Sequence, residues 1–275
     1  LTWEEVYRQR KATQPAATQF SPQPDDFKTV HSLTYQHVYL IKDIAPLVFA
    51  SMRNVSFGCP IDTFLASFSS SGMVRRKTDG KSGSLFFLSG DCRFLLKTIR
   101  DSELHTLLDI LPDYYKHMSE NPSSLITRFY GMFCVKLDSP GADRYNLIIM
   151  ENIVPIAFPL KERYDLKGSS AGRSVKTKDG KGDLTLKDTN FQRKIALPCD
   201  MKEMLHSQLH ADVSFLELHC LVDYSMFVAI HSGSELEIAQ LAADPGCQVG
   251  WRPSIFQQFH GGVCGGASSD QQEIY

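Results

Sequence analysis

The segment 80–111 constrains the fold more than any other part of the sequence, because it specifies three consecutive elements. Two apolar runs, 85–88 and 93–99, flank a short Ser-Gly-Asp turn and predict two strands. Leucines then recur at helical spacing, which predicts a helix over 102–111 that ends at Pro112. Strands and helices close together in the chain indicate a fold of mixed α and β structure.

The same patterns place further elements along the chain. They predict helices at 43–52 and 201–218, strands at 126–135 and 145–151, and a glycine-rich hairpin tip at 178–182. Residues 1–27 are polar and punctuated by proline, which indicates an extended arm. A length of 275 residues with 43% hydrophobic content suits one large domain or two lobes packed together.

The ten residues 164–173, YDLKGSSAGR, combine features that phosphate chemistry needs. Lys167 supplies an ammonium charge, Arg173 a guanidinium fork, and Gly168 backbone N–H groups that a phosphoryl group could approach. Asp165 would repel a phosphate, so its place here makes sense if it binds a metal or takes part in a proton transfer. It therefore indicates catalysis rather than capture of a phosphate. A solvated loop between two strands is the alternative that these residues leave open.

Two aspartates downstream, Asp188 and Asp223, could likewise have either a functional or a structural role. Asp223 lies between apolar runs, where an unpaired carboxylate would be costly to bury. As a catalytic acid it would orient an acceptor hydroxyl and accept its proton, and the alternative is a strand-end turn in which it bonds backbone amides. Asp188, in LKDTNF, is either a metal or phosphate neighbour or a turn residue. We favour a structural role for Asp188 that influences the site.

The order of the next elements is that of a kinase small lobe: a flexible stretch comes first, then the strand with Lys97, and then the helix with Glu103. In that layout Lys97 contacts nucleotide phosphates and Glu103 orients it. The loop residues whose backbone could approach the phosphates are Gly80, Ser82, Gly83 and Ser84. A lysine that snorkels from a strand edge and a solvated helix glutamate are the alternatives.

The charge and the cysteine content limit the classes of protein to which this chain can belong. The net charge of −2 argues against a general nucleic-acid binder, but residues 161–194 hold ten Lys or Arg against five acids. This local excess suits either an enzyme that works on anionic lipid headgroups or a solvated basic hairpin. Seven cysteines without CxxC spacing, no signal-peptide core and no apolar run of membrane-spanning length favour a cytoplasmic protein.

Taken together, these residues resemble the phosphatidylinositol phosphate kinase family of type I and type II lipid kinases. The pair DLKGS and DYS is highly specific for it. The segments that match the family in its own order are DIAPLVFASMR (43–53), SGSLFFLSGDCRFLLKTI (82–99), SSLITRFYGMF (123–133), LIIMENIVP (147–155), YDLKGSSAGR (164–173), LKDTNF (186–191) and VDYSMFVAIH (222–231).

The resemblance implies a two-lobed α+β fold distantly similar to protein kinases, with antiparallel sheets in both lobes and flanking helices. It implies an N-lobe over 28–152 with the ATP loop, and a C-lobe over 153–275. Lys97 would bind ATP phosphates, and Met150 and Asn152 would line the adenine region.

In the second lobe the resemblance makes Asp223 the catalytic acid, with Asp165 nearby. Lys167 and Arg173 would hold the lipid's existing phosphate or the one in transfer. The expected reaction moves the γ-phosphate of ATP, with Mg²⁺, to a monophosphorylated phosphoinositide and gives a product such as phosphatidylinositol 4,5-bisphosphate.

The resemblance also implies partners and a missing ligand. A flat basic face would bind the anionic cytoplasmic surface of membranes peripherally, and a homodimer is the default assembly. The family's magnesium-binding aspartate is expected after Tyr275, where the activation loop also begins. An inactive or weakly active phosphoinositide-binding scaffold of the same fold is the alternative function, and a protein kinase is disfavoured because the chain contains no HRD or DFG.

Overall fold

A computed structural model describes residues 21–35, 39–69, 72–76, 83–137, 139, 141–153, 160–176, 184–231 and 272–274. The chain divides into two compact units, Leu1–Pro122 with Ile126–Asn152, and Ser123–Leu125 with Ile153–Tyr275. Both contain helices and sheets, so the predicted α+β class is confirmed. Among the described residues, no helix is long and apolar enough to cross a membrane.

The first unit is built on a seven-stranded antiparallel sheet, in the order β1-β2-β6-β7-β5-β4-β3. Its strands are β1 (Val30–Tyr35), β2 (Tyr39–Ile44), β3 (Val74–Arg76), β4 (Phe86–Leu88), β5 (Phe94–Ile99), β6 (Phe129–Leu137) and β7 (Arg144–Glu151). Its helices are α1 (Pro46–Ser51), α2 (Ile61–Ser69) and α3 (Asp101–Glu120), with a 3-10 turn at Pro24–Phe27 and a π-helical turn at Met52–Ser56. The strands predicted at 85–88, 93–99, 126–135 and 145–151 are β4, β5, β6 and β7.

Two helix predictions in this unit have wrong ends. Helix α3 passes through Pro112 and continues to Glu120. Proline removes one hydrogen-bond donor, but Tyr114 and Met118 beyond it are both 2% exposed, so their packing holds the helix together. Helix α1 begins at Pro46 rather than residue 43, because the preceding residues pair with β6 as the end of β2.

An aromatic cluster forms the centre of this unit. Phe94, at the start of β5, lies 4.8 Å from Tyr130 of β6 and 5.3 Å from Phe64 of α2, measured between ring centroids. Phe68 stacks on Phe94 at 5.6 Å, and the Arg53 guanidinium lies 4.7 Å from the Phe64 ring centroid. Because these rings belong to β5, β6 and α2, they fix the helix against the sheet that carries Lys97.

Replacing Phe94 with Ala is expected to destabilise the protein by about 3–5 kcal/mol, because the ring is 1% exposed and its removal leaves a cavity. Urea unfolding of Phe94→Ala measures this loss. Val55→Ala, at a residue that is 59% exposed, is the control and is expected to change the stability by less than about 0.5 kcal/mol. Equal losses in the two variants would contradict the cluster's role.

The second unit carries a smaller sheet in the order β11-β8-β9. Its elements are β8 (Leu160–Leu166), β9 (Thr185–Lys187), a 3-10 turn (Asp188–Asn190), β10 (Ile195–Leu197), α4 (Cys199–Leu218), β11 (Met226–His231) and β12 (Gln272–Ile274), which pairs with β10. The helix predicted at 201–218 is confirmed as α4. Its buried Asp212 accepts a hydrogen bond from the Leu125 amide at 2.6 Å, which ties the segment Ser123–Leu125 to this unit.

The pairing within this sheet was not predicted. Strand β8 is antiparallel to β11 but parallel to β9. The hairpin tip predicted at 178–182 lies outside the described residues. Because β8 and β9 run in the same direction, the connection between them is not a β-hairpin but a crossover.

Candidate functional site

The structure brings Lys97 and Glu103 together in the first unit. Lys97 Nζ lies 3.5 Å from Glu103 Oε1. The other carboxylate oxygen of Glu103 accepts hydrogen bonds from Arg100, from its backbone N–H at 2.9 Å and from its Nε at 3.2 Å. Glu103 therefore caps the backbone N–H of Arg100 at the start of α3 and contacts the lysine at the same time.

The charge of Glu103 is maintained by these neighbours. Burial acts to raise the pKa of its carboxyl, but the hydrogen bonds from Arg100 and the positive charges of Lys97 and Arg100 outweigh burial and hold that pKa below its usual range. A carboxylate that stays ionised can keep a lysine ammonium in place.

The other two residues expected around the adenine of ATP, Met150 and Asn152, make different kinds of contact. Lys97 lies opposite Ile148 in the register of β5 and β7, and Leu95 lies opposite Met150, so Lys97 and Met150 share one face of the sheet. Asn152 instead fastens the end of β7 to the turn before β5: its backbone N–H donates to Arg93 O at 2.9 Å, and its side-chain Nδ2 donates to Cys92 O at 2.7 Å.

Only part of the predicted phosphate loop is described. Gly83 is exposed with a φ of 66°, a left-handed conformation that suits glycine, and Ser84 is half-buried. Gly80 and Ser82 lie outside the described residues. The ATP-binding roles of these four residues stay predictions.

In the second unit, Lys167 and Asp223 meet at one end of the sheet. Lys167 follows β8 and Asp223 precedes β11, and the register of these antiparallel strands places Leu166 opposite Met226. The Lys167 Nζ contacts the Asp223 carboxylate directly. Asp223 does not bear the cost of a buried carboxylate, because its side chain is 80% exposed and its backbone has a φ of 64°.

Arg173 links the two other acids of the site. Its Nη2 lies 2.9 Å from Asp165 Oδ2, and its Nε lies 2.7 Å from Asp188 Oδ2. The arginine side chain is only 14% exposed. Its predicted contact with a substrate phosphate stays a prediction, and its two carboxylate partners favour a role in holding the loop together.

The pKa values of these acids follow from their partners. Burial acts to raise the pKa of Asp165, but hydrogen bonds from Ser225 and Arg173 and the charges of Arg173 and Lys167 outweigh it and leave that pKa below its usual range. The Arg173 hydrogen bond, together with backbone N–H donors, holds the pKa of Asp188 far below its usual range. Both acids therefore stay ionised near neutral pH.

The interpretation of Gly168 as a source of free amides for a phosphate is wrong. Asp188 Oδ1 accepts hydrogen bonds from the backbone nitrogens of Lys167 at 2.7 Å, Gly168 at 2.8 Å and Ser169 at 3.4 Å. The amides of the loop are thus already occupied by a carboxylate. Asp188 has the structural role expected from the sequence, but its extent was not foreseen.

The Asp188 pKa predicts a pH-dependent stability. A folded-state pKa below the unfolded value of about 3.9 stabilises the protein fully above that pH, and this stabilisation is lost as the pH falls towards the folded value. The difference in melting temperature between the natural protein and Asp188→Asn is therefore expected to be constant from about pH 5 to 7 and to shrink below about pH 4. Thermal unfolding across this range measures the difference, and a gap that widened on acidification would contradict the assignment.

Comparisons with known proteins give the family of the chain. The sequence profile of the phosphatidylinositol-4-phosphate 5-kinase family matches residues 67–246, more than half of the chain. Phosphatidylinositol 4-phosphate 5-kinase 1 of Arabidopsis thaliana is 38% identical over 192 residues, 69% of this chain and 25% of that protein. The type-1 alpha enzyme of Rattus norvegicus is 34% identical over 209 residues, 73% of this chain and 38% of that protein.

A third relative is a probable phosphatidylinositol phosphate kinase of Dictyostelium discoideum, 36% identical over 225 residues, 77% of this chain and 31% of that protein. The chain thus spans about a quarter to two-fifths of the length of these relatives. The resemblance carried by DLKGS, LKDTNF and DYS is confirmed, and the chain belongs to the phosphatidylinositol-4-phosphate 5-kinase family.

Proposed function

We propose that this chain is the catalytic part of a phosphatidylinositol phosphate kinase, which transfers the γ-phosphate of ATP to a hydroxyl of a monophosphorylated phosphoinositide. The observation that carries the proposal is the contact between Lys167 and the exposed carboxylate of Asp223. A base beside a cation is what phosphoryl transfer to a hydroxyl requires. The names of the relatives support phosphatidylinositol 4-phosphate as the acceptor and the 4,5-bisphosphate as the product.

Each side chain of this pair has one task. Asp223 accepts the proton of the attacking inositol hydroxyl and orients its oxygen toward the phosphorus. Lys167 places an ammonium where negative charge accumulates on the transferred phosphoryl group, and because its side chain is 26% exposed, a phosphate can approach it. Asp165 stays ionised and holds Arg173, so it supports the loop rather than taking part in proton transfer.

ATP binds in the first unit in this proposal. Lys97 contacts its phosphates and Glu103 holds the lysine ammonium in place. Met150 offers an apolar surface to adenine on the same face of the sheet. The backbone of the glycine-containing segment, with Gly80, Ser82, Gly83 and Ser84, covers the phosphates, and Asn152 shapes the edge of the pocket through its bond to Cys92.

Kinases of this kind use a divalent metal to bridge and neutralise the nucleotide phosphates, and we propose Mg²⁺ for this one. The described residues contain no group of three or more His, Cys, Asp or Glu side chains that could hold a metal ion.

The acceptor lipid lies in a membrane, so the protein must bind there at least transiently. The segment 161–194 carries ten Lys or Arg against five acids, and each basic residue contributes about 1 kcal/mol to binding when it lies near an anionic surface. We propose peripheral binding to the cytoplasmic face of membranes through this segment, a homodimer as the assembly, and no nucleic-acid partner.

The test is a transfer assay with γ-labelled ATP and vesicles. The full-length protein is incubated with vesicles that contain phosphatidylinositol 4-phosphate, with the 5-phosphate and 3-phosphate isomers and unphosphorylated phosphatidylinositol in parallel reactions. Label is expected in the bisphosphate formed from the 4-phosphate. Vesicle binding without labelled lipid from any isomer would overturn the catalytic proposal and favour a phosphoinositide-binding scaffold.

A further inference from the structure

Asp188 occupies a position in which proteins commonly bind an external anion. Three successive backbone N–H groups, those of Lys167, Gly168 and Ser169, converge on its Oδ1. The guanidinium of Arg173 completes the cradle at the other oxygen, 2.7 Å away. Converging amides with an arginine form a typical anion-binding nest, and here the anion is supplied by the chain itself.

The turn that carries Asp188 holds the other end of the loop as well. Asn190 Oδ1 accepts a hydrogen bond from the Val175 amide at 2.9 Å, and its side-chain amide donates to Val175 O at 3.0 Å. The Thr189 hydroxyl and backbone N–H both donate to Arg173 O, at 2.6 and 3.0 Å. The 3-10 turn Asp188–Asn190 therefore holds the loop at both ends. Of its three residues, Asp188 is the one that contacts Lys167, whose Nζ contacts Asp223.

Lys167 is the point at which this grip reaches the site. Its backbone nitrogen is fixed by Asp188 at 2.7 Å, while its Nζ contacts Asp223. Gly168 beside it has a φ of 71°, a conformation that turns consecutive N–H groups toward one oxygen. Loss of the carboxylate removes the anion that holds these amides in register, so the lysine loses the fixed backbone from which it extends.

We propose that Asp188 is a positioning residue, an internal anion that closes the loop 167–169 and thereby sets Lys167 against Asp223. The consequence for catalysis rests on the proposed function, whereas the closing of the loop does not. A nest emptied by mutation becomes a site for a small external carboxylate. Formate, which has the planar oxygens of the aspartate side chain, is the probe that fits.

The structural test follows the amide signals of Lys167, Gly168 and Ser169 by hydrogen exchange in Asp188→Ala. Exchange of the Lys167 and Gly168 amides is expected to accelerate about tenfold or more, since hydrogen bonds to a charged group are lost, and to slow again when formate is added. The natural protein in the same formate solution controls for salt. Glu203→Ala, which removes an exposed carboxylate of α4, is the matched variant and is expected to change none of these signals.

The kinetic test uses the same variants in the vesicle assay. Asp188→Ala is expected to lower kcat about tenfold or more, to change the KM for ATP less than about twofold, and to regain part of its kcat in formate. If Asp188→Ala does not fold, Asp188→Asn keeps an acceptor oxygen without the charge, and it is expected to give a smaller effect of the same kind.

Three outcomes decide the proposal. Amides that remain protected in Asp188→Ala without formate, or exchange that formate leaves unchanged, would overturn it. A kcat that stays at the natural value while the amides open would overturn the positioning role. If the natural protein transfers no phosphate, the proposed function fails, and the amide exchange still decides whether Asp188 closes the loop.

Discussion

Replacing Asp223 with Asn is expected to lower the rate of lipid phosphorylation by between about 100-fold and 10,000-fold while leaving the fold intact, since general base catalysis contributes a factor of this size. Asparagine keeps the shape of the side chain but cannot accept the hydroxyl proton. The fold survives because the side chain is 80% exposed and its ion pair with Lys167 contributes about 0–1 kcal/mol. Asparagine also tolerates the left-handed backbone at this position better than alanine.

The measurement is kcat in the vesicle assay, with the melting temperature as the check on folding. Asp200→Asn, at an exposed aspartate in the first turn of α4, removes the same charge elsewhere in the second unit and is expected to retain full activity. A variant at Asp223 that kept more than about a tenth of the natural rate would show that another group takes the proton.

Replacing Lys167 with Met is expected to lower kcat about 100- to 1,000-fold, the range seen when a single group that stabilises developing negative charge is removed. Methionine preserves much of the length and the apolar stem of lysine, so the loss comes from the charge. The KM for the lipid is expected to change much less than kcat, because the ammonium is needed most when the phosphoryl group is in transfer.

A second lysine of the same basic segment separates this effect from membrane attraction. Lys176 is exposed and lies nine positions further along the chain. Lys176→Met removes the same charge from the segment and is expected to lower vesicle binding as much as Lys167→Met does, with little change in kcat at saturating lipid. Equal losses of kcat in the two variants would assign Lys167 to membrane binding instead of catalysis.

The pair in the first unit could be predicted because it is local. Lys97 and Glu103 are joined by a strand and the first turn of the next helix, so the order of elements was enough to bring them together. The end of that helix could not be read in the same way. Pro112 is a strong signal for termination, and what overrides it is the burial of Tyr114 and Met118, which depends on the packing of the whole unit.

The second site depends on contacts that no local pattern encodes. Asp188 reaches the loop after β8 because β9, which precedes it, runs parallel to β8. A parallel pair needs a long connection between its strands, and the connecting sequence, rich in glycine and charged residues, does not predict the pairing. LKDTNF and YDLKGSSAGR both stand out as motifs in the sequence. Only the structure shows that Asp188 of the first motif holds the loop of the second.

The same parallel pairing bears on how sequences of this kind can vary in length. The loop beginning at Lys167 is fastened near both of its ends, by Asp188 at 167–169 and by Asn190 at Val175, before the chain enters the crossover to Thr185. Insertions between 177 and 183 would lengthen a segment whose two ends are already fixed. Such insertions would leave the hydrogen bonds of Asp188 and Asn190 to the loop in place. Evolution can therefore change the length of the crossover while Lys167 keeps its place.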